Sequence, residues 1–109
     1  DVAGFIEHWV SAWRNKQIDG YMDCYDEAFH GSGRNKARHR AHKSRLNKAY
    51  KEINISISDL RIYQYHNYVV VSFNQDYRSS LFHSVGRKTL HLTRTGDGYR
   101  IISERFRRQ

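Results

Sequence analysis

The period of the apolar residues changes once along this chain, and that change limits what it can fold into. Between positions 2 and 13, Val2, Phe5, Ile6, Trp9, Val10 and Trp13 recur every three or four residues, one apolar stripe on one helix face. From position 53 the spacing is two. Ile53, Ile55 and Ile57 alternate with Asn54, Ser56 and Ser58, the pattern of a half-buried strand. Helices first and a meander of long strands afterwards predict an α+β domain and argue against a parallel α/β sheet.

The intervening residues fill in this outline. Asp1 is placed to cap the first helix. After a polar break at 14–17, Ile18, Tyr21, Met22, Tyr25 and Phe29 read as a second helix, with Asp19 in its first turn and a loop at 30–33. Residues 34 to about 50 read as a third helix with a thin apolar face of Ala37, Ala41, Leu46, Ala49 and Tyr50. The alternation slips phase at Asp59, where a bulge would bend the first long strand. A turn at His66-Asn67 leads into a strand over 68–79 that puts Val69, Val71, Phe73, Gln75 and Tyr77 on one face. A strand over 87–95 aligns Lys88, Leu90 and Leu92. Gly96-Asp97-Gly98 then makes a hairpin into a last strand over 99–106. With no internal repeat and no linker composition, residues 1–109 read as a single domain.

Charge is the strongest compositional signal. Nineteen Lys and Arg against eleven Asp and Glu give a formal net charge of +8, which favours an anionic polymer, a membrane surface or nucleic acid as a partner. The competing reading is charge that only keeps a soluble domain dispersed. Cys24 is the single cysteine, so no internal disulfide forms, and a buried structural thiol is the expectation. No apolar run approaches the ~20 residues of a membrane-spanning helix. The pattern from Asp1 onward is not a secretory signal, and without an initiator Met the expectation is a mature protein or an excised domain.

Several residues are candidates for chemistry. Lys88 shares the phase of Leu90 and Leu92, which would turn it inward to meet Glu104 on the neighbouring strand. Gln75 and Tyr77 share a face on a third strand. Together with Trp13, Tyr21 and Tyr25 they would form a polar cluster, walled by aromatics, for an anionic or amide-bearing small-molecule ligand. The alternatives are an exposed Lys–Glu pair and aromatics that are simply core. Eight of the 19 Lys and Arg lie in 34–51, and Arg38, Lys43 and Arg45 among them, with His39, are read either as an anion-binding ridge or as a solvated face. His39 and His42 lie three apart, but with no acid at ligand spacing they read as solvated histidines and no metal is assigned. No nucleophile elbow, phosphate loop or nucleophile–base pair is present, and no catalytic residue or cofactor is assigned. Nucleic acid fits the charge, but the strands lack a base-stacking pattern and no helix-turn-helix is evident.

The residues also carry a resemblance. Trp9, Ala12-Trp13, Ile18-Asp19-Gly20-Tyr21, Tyr25 and Phe29, then 53–60, Phe73-Asn74-Gln75-Asp76-Tyr77-Arg78-Ser79, Lys88, Leu90, Leu92, Tyr99-Arg100-Ile101 and Glu104 resemble the NTF2-like superfamily. More narrowly, the chain is similar to the NTF2-like domain at the C-terminus of some bacterial L,D-transpeptidase and L,D-carboxypeptidase proteins. It departs from that group at Gln17, where Asp is usual, at His39 and Lys43, where Trp and Arg are usual, and at Tyr99, where Trp is common. The resemblance implies a cone in which three N-terminal helices pack on a curved antiparallel sheet, leaving a pocket at the wide end. It also implies dimerisation through the outer sheet face in some members, an attached or partner catalytic domain, and a periplasmic or cell-envelope location. The function so implied is a non-catalytic accessory domain that binds a peptidoglycan-type ligand or a protein partner. The alternatives are a small-molecule enzyme of the isomerase or dehydratase type and, third, a nucleic-acid-binding module. Fold alone does not choose among them.

Overall fold

The computed structural model describes residues 1–109 as three helices and six strands. Helix α1 (Val2–Arg14) starts where Asp1 accepts a hydrogen bond from the Gly4 amide at 2.6 Å. It buries Val2, Ile6, Trp9, Val10 and Trp13, the stripe read from the sequence, with Phe5 partly buried beside them. Helix α2 (Ile18–Met22) is short. Strand β1 (Tyr25–Gly31), a two-residue turn and strand β2 (Arg34–Asn35) follow, then helix α3 (Lys36–Ala49). The remainder is a meander of long strands: β3 (Ile53–Gln64), β4 (Tyr68–Ser79), β5 (His83–Thr95) and β6 (Gly98–Arg108).

The six strands form one sheet in the order β2-β1-β6-β5-β4-β3. Neighbours run antiparallel except β1 and β6, which are parallel, so the sheet is mixed where an all-antiparallel one was expected.

The second helix ends earlier than the spacing of Tyr25 and Phe29 suggested. Those two side chains are buried from strand β1, whose register against β6 is irregular between Tyr25 and His30. Asp26 Oδ2 accepts from the Ala28 amide within that irregularity. Residues four apart share one side of a strand as they share a helix face, and the irregularity at 26–28 leaves Glu27 exposed, so the inward residue at i+2 that marks a strand is missing. The expected loop at 30–33 is a tight hairpin, with Ser32 and Gly33 both at positive φ (52° and 75°), the twist a two-residue hairpin needs. Gly31 belongs to β1 itself. A Cβ there would lie 2.7 Å from Phe29 Cζ and 2.9 Å from Glu104 Cγ, so glycine permits the close approach of β6.

The bulge expected in β3 is present. Register shifts between Ser58 and Arg61, with Asp59 at φ 52° held by ion pairs to Arg61 and Arg87. The helices cover one face of the sheet. There Val69, Val71, Phe73, Leu90, Leu92 and Ile101 are fully buried against Trp9, Ile6 and Met22. The alternation along β4 and β5 continues past this apolar block: Gln75, Tyr77, Ser84 and Lys88 are buried on the same face.

Candidate functional site

Beyond the apolar block, the inner face opens into a cavity of about 320 Å³ between α3, the end of α1 and the sheet. Helix α3 begins where Asn35 caps Arg38, and it presents His39, His42, Lys43 and Leu46 to the cavity, with Tyr50 just past its end. This is not the face its alanines suggested: Ala37 and Ala41 are exposed. Trp13 contributes the α1 wall. The sheet supplies Gln75, Tyr77, Ser84, Lys88, Glu104 and Phe106.

Glu104 is the centre of a buried network. Lys88 Nζ donates to its Oε2 at 3.1 Å, and both side chains are less than a tenth exposed. Tyr25 Oη donates to its Oε1 at 2.9 Å. Tyr25 has then used its only proton, so the 2.7 Å contact between Tyr21 Oη and Tyr25 Oη is a donation from Tyr21. By the same count, the 2.9 Å contact of His39 Nε2 with Tyr21 Oη is a donation from His39, which fixes the Nε2–H tautomer and leaves Nδ1 as the ring's acceptor. Trp9 Nε1 adds a donation to Tyr25 Oη at 3.1 Å. Every proton in the chain therefore points toward one carboxylate, an arrangement in which each bond polarises the next.

The charge states follow from burial and neighbours. Burial works to raise the pKa of Glu104, but the Lys88 ammonium, the other nearby positive charges and the Tyr25 hydrogen bond outweigh it and bring it down to about 2. Burial, reinforced by the positive charges of Lys43, Lys88 and Arg34, lowers His39 to about 4. Its imidazole is neutral at pH 7, in keeping with the tautomer above. Burial and then the Glu104 charge push both Tyr21 and Tyr25 well above the ordinary tyrosine range.

Lys43 is the other cation that matters. Its Nζ lies 4.4 Å from the centre of the Trp13 ring, with Lys88 Nζ at 5.7 Å from the same ring. Desolvation and the neighbouring Lys88 charge lower its pKa to about 8. Among the ion pairs and hydrogen bonds, Lys43 and Arg34 have no partner, whereas Lys88 has Glu104. Two buried polar atoms are also without a partner, Gln75 Oε1 and Tyr77 Oη. Both residues are under a tenth exposed and line the same cavity.

The structure thus brings together Trp13, Gln75, Tyr77, Lys88 and Glu104 with His39 and Lys43. Tyr21 and Tyr25 sit behind the cavity wall and act through Glu104 and His39. Of the residues grouped as a ridge, only Arg38 and Arg45 are exposed and clear of the cavity. His39 is 2% exposed, because its position four residues before Lys43 turns both inward, so its reading as a solvated histidine is corrected. Arg40 and Lys36 of the basic segment are tied to Asp19 and Glu27. Sequence reasoning passed over Ser84, Phe106, Tyr50 and Phe82. Ser84 continues the inner phase of Lys88, a signal masked by starting β5 at Arg87, and Phe106 continues that of Glu104.

A helix-covered, six-stranded bent sheet with a polar pocket at one end of its inner face defines an α+β module of the NTF2/cystatin-like kind. The model of the Cds6 C-terminal NTF2-like domain matches residues 1–105, and the chain belongs to that family. It is similar to the solved structure of Bdellovibrio bacteriovorus Bd1075 at 33% identity and a TM-score of 0.96, over 100% of this chain and 40% of that one. It also resembles the helical cell shape determining protein Pgp2 from Campylobacter jejuni (22% identity, TM-score 0.75, 93% of this chain and 38% of that one). A third likeness is to an NTF2-like protein of unknown function from Pseudomonas putida (16% identity, TM-score 0.85, 96% and 82%). The last two likenesses speak for the fold alone. The chain therefore spans about two fifths of Bd1075 and of Pgp2. No curated protein matched it. No helix is long and apolar enough to cross a membrane.

Proposed function

We propose that this domain is a non-catalytic accessory module of a bacterial envelope protein, and that its pocket holds a peptidoglycan-type ligand or the equivalent segment of a partner. The observation that carries the reading is the pair of partnerless polar atoms, Gln75 Oε1 and Tyr77 Oη, buried beside the unpaired Lys43. An unsatisfied buried polar group costs about 1–3 kcal/mol, and a ligand that satisfies it recovers that cost. A protein of the same fold is described as determining helical cell shape, and the envelope setting of this reading is carried over from it by analogy. The exposed Arg38 and Arg45 would hold anionic polymer near the pocket mouth by screened, long-range attraction.

One observation favours a second reading, a small-molecule enzyme of the isomerase or dehydratase type. The pocket contains a buried acid and a buried histidine, Glu104 and His39. Both Glu104 oxygens are already engaged by Lys88 and Tyr25, so its proton-transfer capacity is committed to the structure. Co-sedimentation with purified peptidoglycan sacculi, at low salt and at ~0.3 M salt with DNA as competitor, tests the leading reading. Retention at high salt that DNA does not compete and that Tyr77→Phe weakens is the expected result. Binding that disappears with salt or transfers to DNA would reject a wall-binding pocket.

A further inference from the structure

Resting on the pocket reading above, we infer that the part of the ligand the cavity reads is a peptide end: a free α-carboxylate with the amide N–H next to it. At about 320 Å³ the cavity is at the lower end of small-molecule pockets, about 300–1,000 Å³, too small to enclose a disaccharide with its peptide. It holds one terminus of a larger molecule.

The polar atoms say which terminus. Lys43 Nζ and the half-buried Arg34 guanidinium bring positive charge without an acid to neutralise it, while the third cation of the wall, Lys88, is matched by Glu104. The vacancy in the charge balance is therefore for an anion. Tyr77 Oη has a proton to donate and no acceptor. Gln75 Oε1, two residues before it on β4 and facing the same way, can only accept. A phosphate or sulfate would satisfy Lys43 and Tyr77 but would offer no N–H to Gln75. A sugar would satisfy Gln75 and Tyr77 but would leave the two cations unpaired. A carboxylate adjoining an amide N–H satisfies all three side chains, with the Trp13 ring as an apolar wall for the residue between.

The charge on Lys43 makes such binding pH-linked. Facing it are Lys88 from β5, Glu104 from β6, Arg34 from β2 and His42 and His39 from α3. Their balance and its burial lower the Lys43 pKa to about 8. A bound carboxylate raises it again, so binding near pH 8 takes up a proton.

The test is calorimetric titration of the intact chain with N-acetyl-alanyl-alanine, in both enantiomeric forms, as free acid and as C-terminal amide. Titrations in two pH 8 buffers of different ionisation enthalpy are run beside sacculus co-sedimentation. The free acid of at least one enantiomer is expected to bind tenfold or more tighter than its amide. Proton uptake and the acid preference should both disappear in Lys43→Met and return in Lys43→Arg without the proton uptake. Equal binding of acid and amide, or sacculus retention with neither peptide bound, would overturn the peptide-end inference and leave the pocket reading standing. Loss of both peptide and sacculus binding would overturn the two together. The acid–amide comparison on the unaltered chain needs no variant to fold.

Discussion

Along β4, β5 and β6 a single face of the sheet carries two environments. At one end Val69, Val71, Phe73, Leu90, Leu92 and Ile101 form a dry block under α1 in which nothing titrates. Two to four residues further along the same strands, on the same side of the sheet, stand Gln75, Tyr77, Lys88 and Glu104. The backbone alternation is continuous along β4 and β5, and a register shift in β6 between Ile101 and Ser103 keeps Glu104 on the same side, so the fold would be as well served by apolar residues throughout. Where a face stays inward but its chemistry turns polar, the cause lies outside the sheet ladder, and here it lies in the pocket.

The sharpest way to break that contrast is to strand the buried ammonium. Glu104→Ala leaves Lys88 without a counter-charge and Tyr25 without its acceptor, with an expected loss of about 3–5 kcal/mol in urea unfolding. The double variant Lys88→Met/Glu104→Gln keeps an acceptor for Tyr25 and removes both charges. It should recover most of that stability, since a buried pair is often replaceable by neutral groups. A double variant as unstable as the single would show the polar end to be required by the fold and not by a ligand.

At the dry end, Leu90→Ala should cost about 2–5 kcal/mol through lost burial and the cavity left behind, with no loss of sacculus retention by the folded protein. Retention that falls in step with this variant would mean that the two ends are not separable.

Of these two ends, only the polar one should contribute to the pH dependence of stability. His39 has a folded pKa of about 4 against an ordinary 6.5, so the unfolded chain takes up its proton first. Its contribution is whole above pH 6.5 and declines as the pH falls toward 4. Glu104, at about 2 against 4.5, contributes fully above pH 4.5 and declines as the pH falls through 2. Each window has a slope of up to about 1.4 kcal/mol per pH unit. His39→Gln should remove the upper window and leave the lower. Leu90→Ala should displace the whole profile without changing its shape.

How much of this was legible beforehand follows the same division. The helix stripe of α1 and the alternation of β3, β4 and β5 depend on periodicity, which needs only local sequence. The inward phase of Lys88 came from that alternation too, and Glu104 was read as its partner on the adjacent strand. Tyr25 and Phe29 misled because residues four apart share a side in a strand as in a helix, and the irregular register of β1 leaves Glu27 exposed between them. The inner face of α3 was illegible because apolarity marks a dry interface, and this helix turns His39 and Lys43 to a wet one while its alanines face solvent. The parallel pairing of β1 with β6 joins residues more than seventy positions apart, and no local pattern reports it.

A smaller effect tests the join between the two ends. Gly31 lets β1 approach β6 where Glu104 sits, and Gly31→Ala places a methyl 2.9 Å from Glu104 Cγ and 3.3 Å from its carbonyl oxygen. A cost of about 1–3 kcal/mol is expected from the overpacking, with weaker peptide binding as Glu104 and Lys88 shift. Unchanged binding at reduced stability would show that the Glu104–Lys88 pair tolerates displacement.

The smallest effect distinguishes the pocket from the basic surface around it. Arg38 and Arg45 are exposed, lie clear of the cavity and form no ion pair, so changing both to Ser should alter stability by no more than about 0.5 kcal/mol. If they serve only to attract anionic polymer, the double variant should lose sacculus retention at low salt and match the parent protein at ~0.3 M salt, where attraction between exposed charges is largely screened. If retention at high salt falls as well, the exposed face of α3 makes direct contacts with the ligand, and the recognition surface extends from the pocket onto the helix. The polar end would then be the inner part of a longer groove, and the boundary between site and scaffold would run along α3 instead of across the strands.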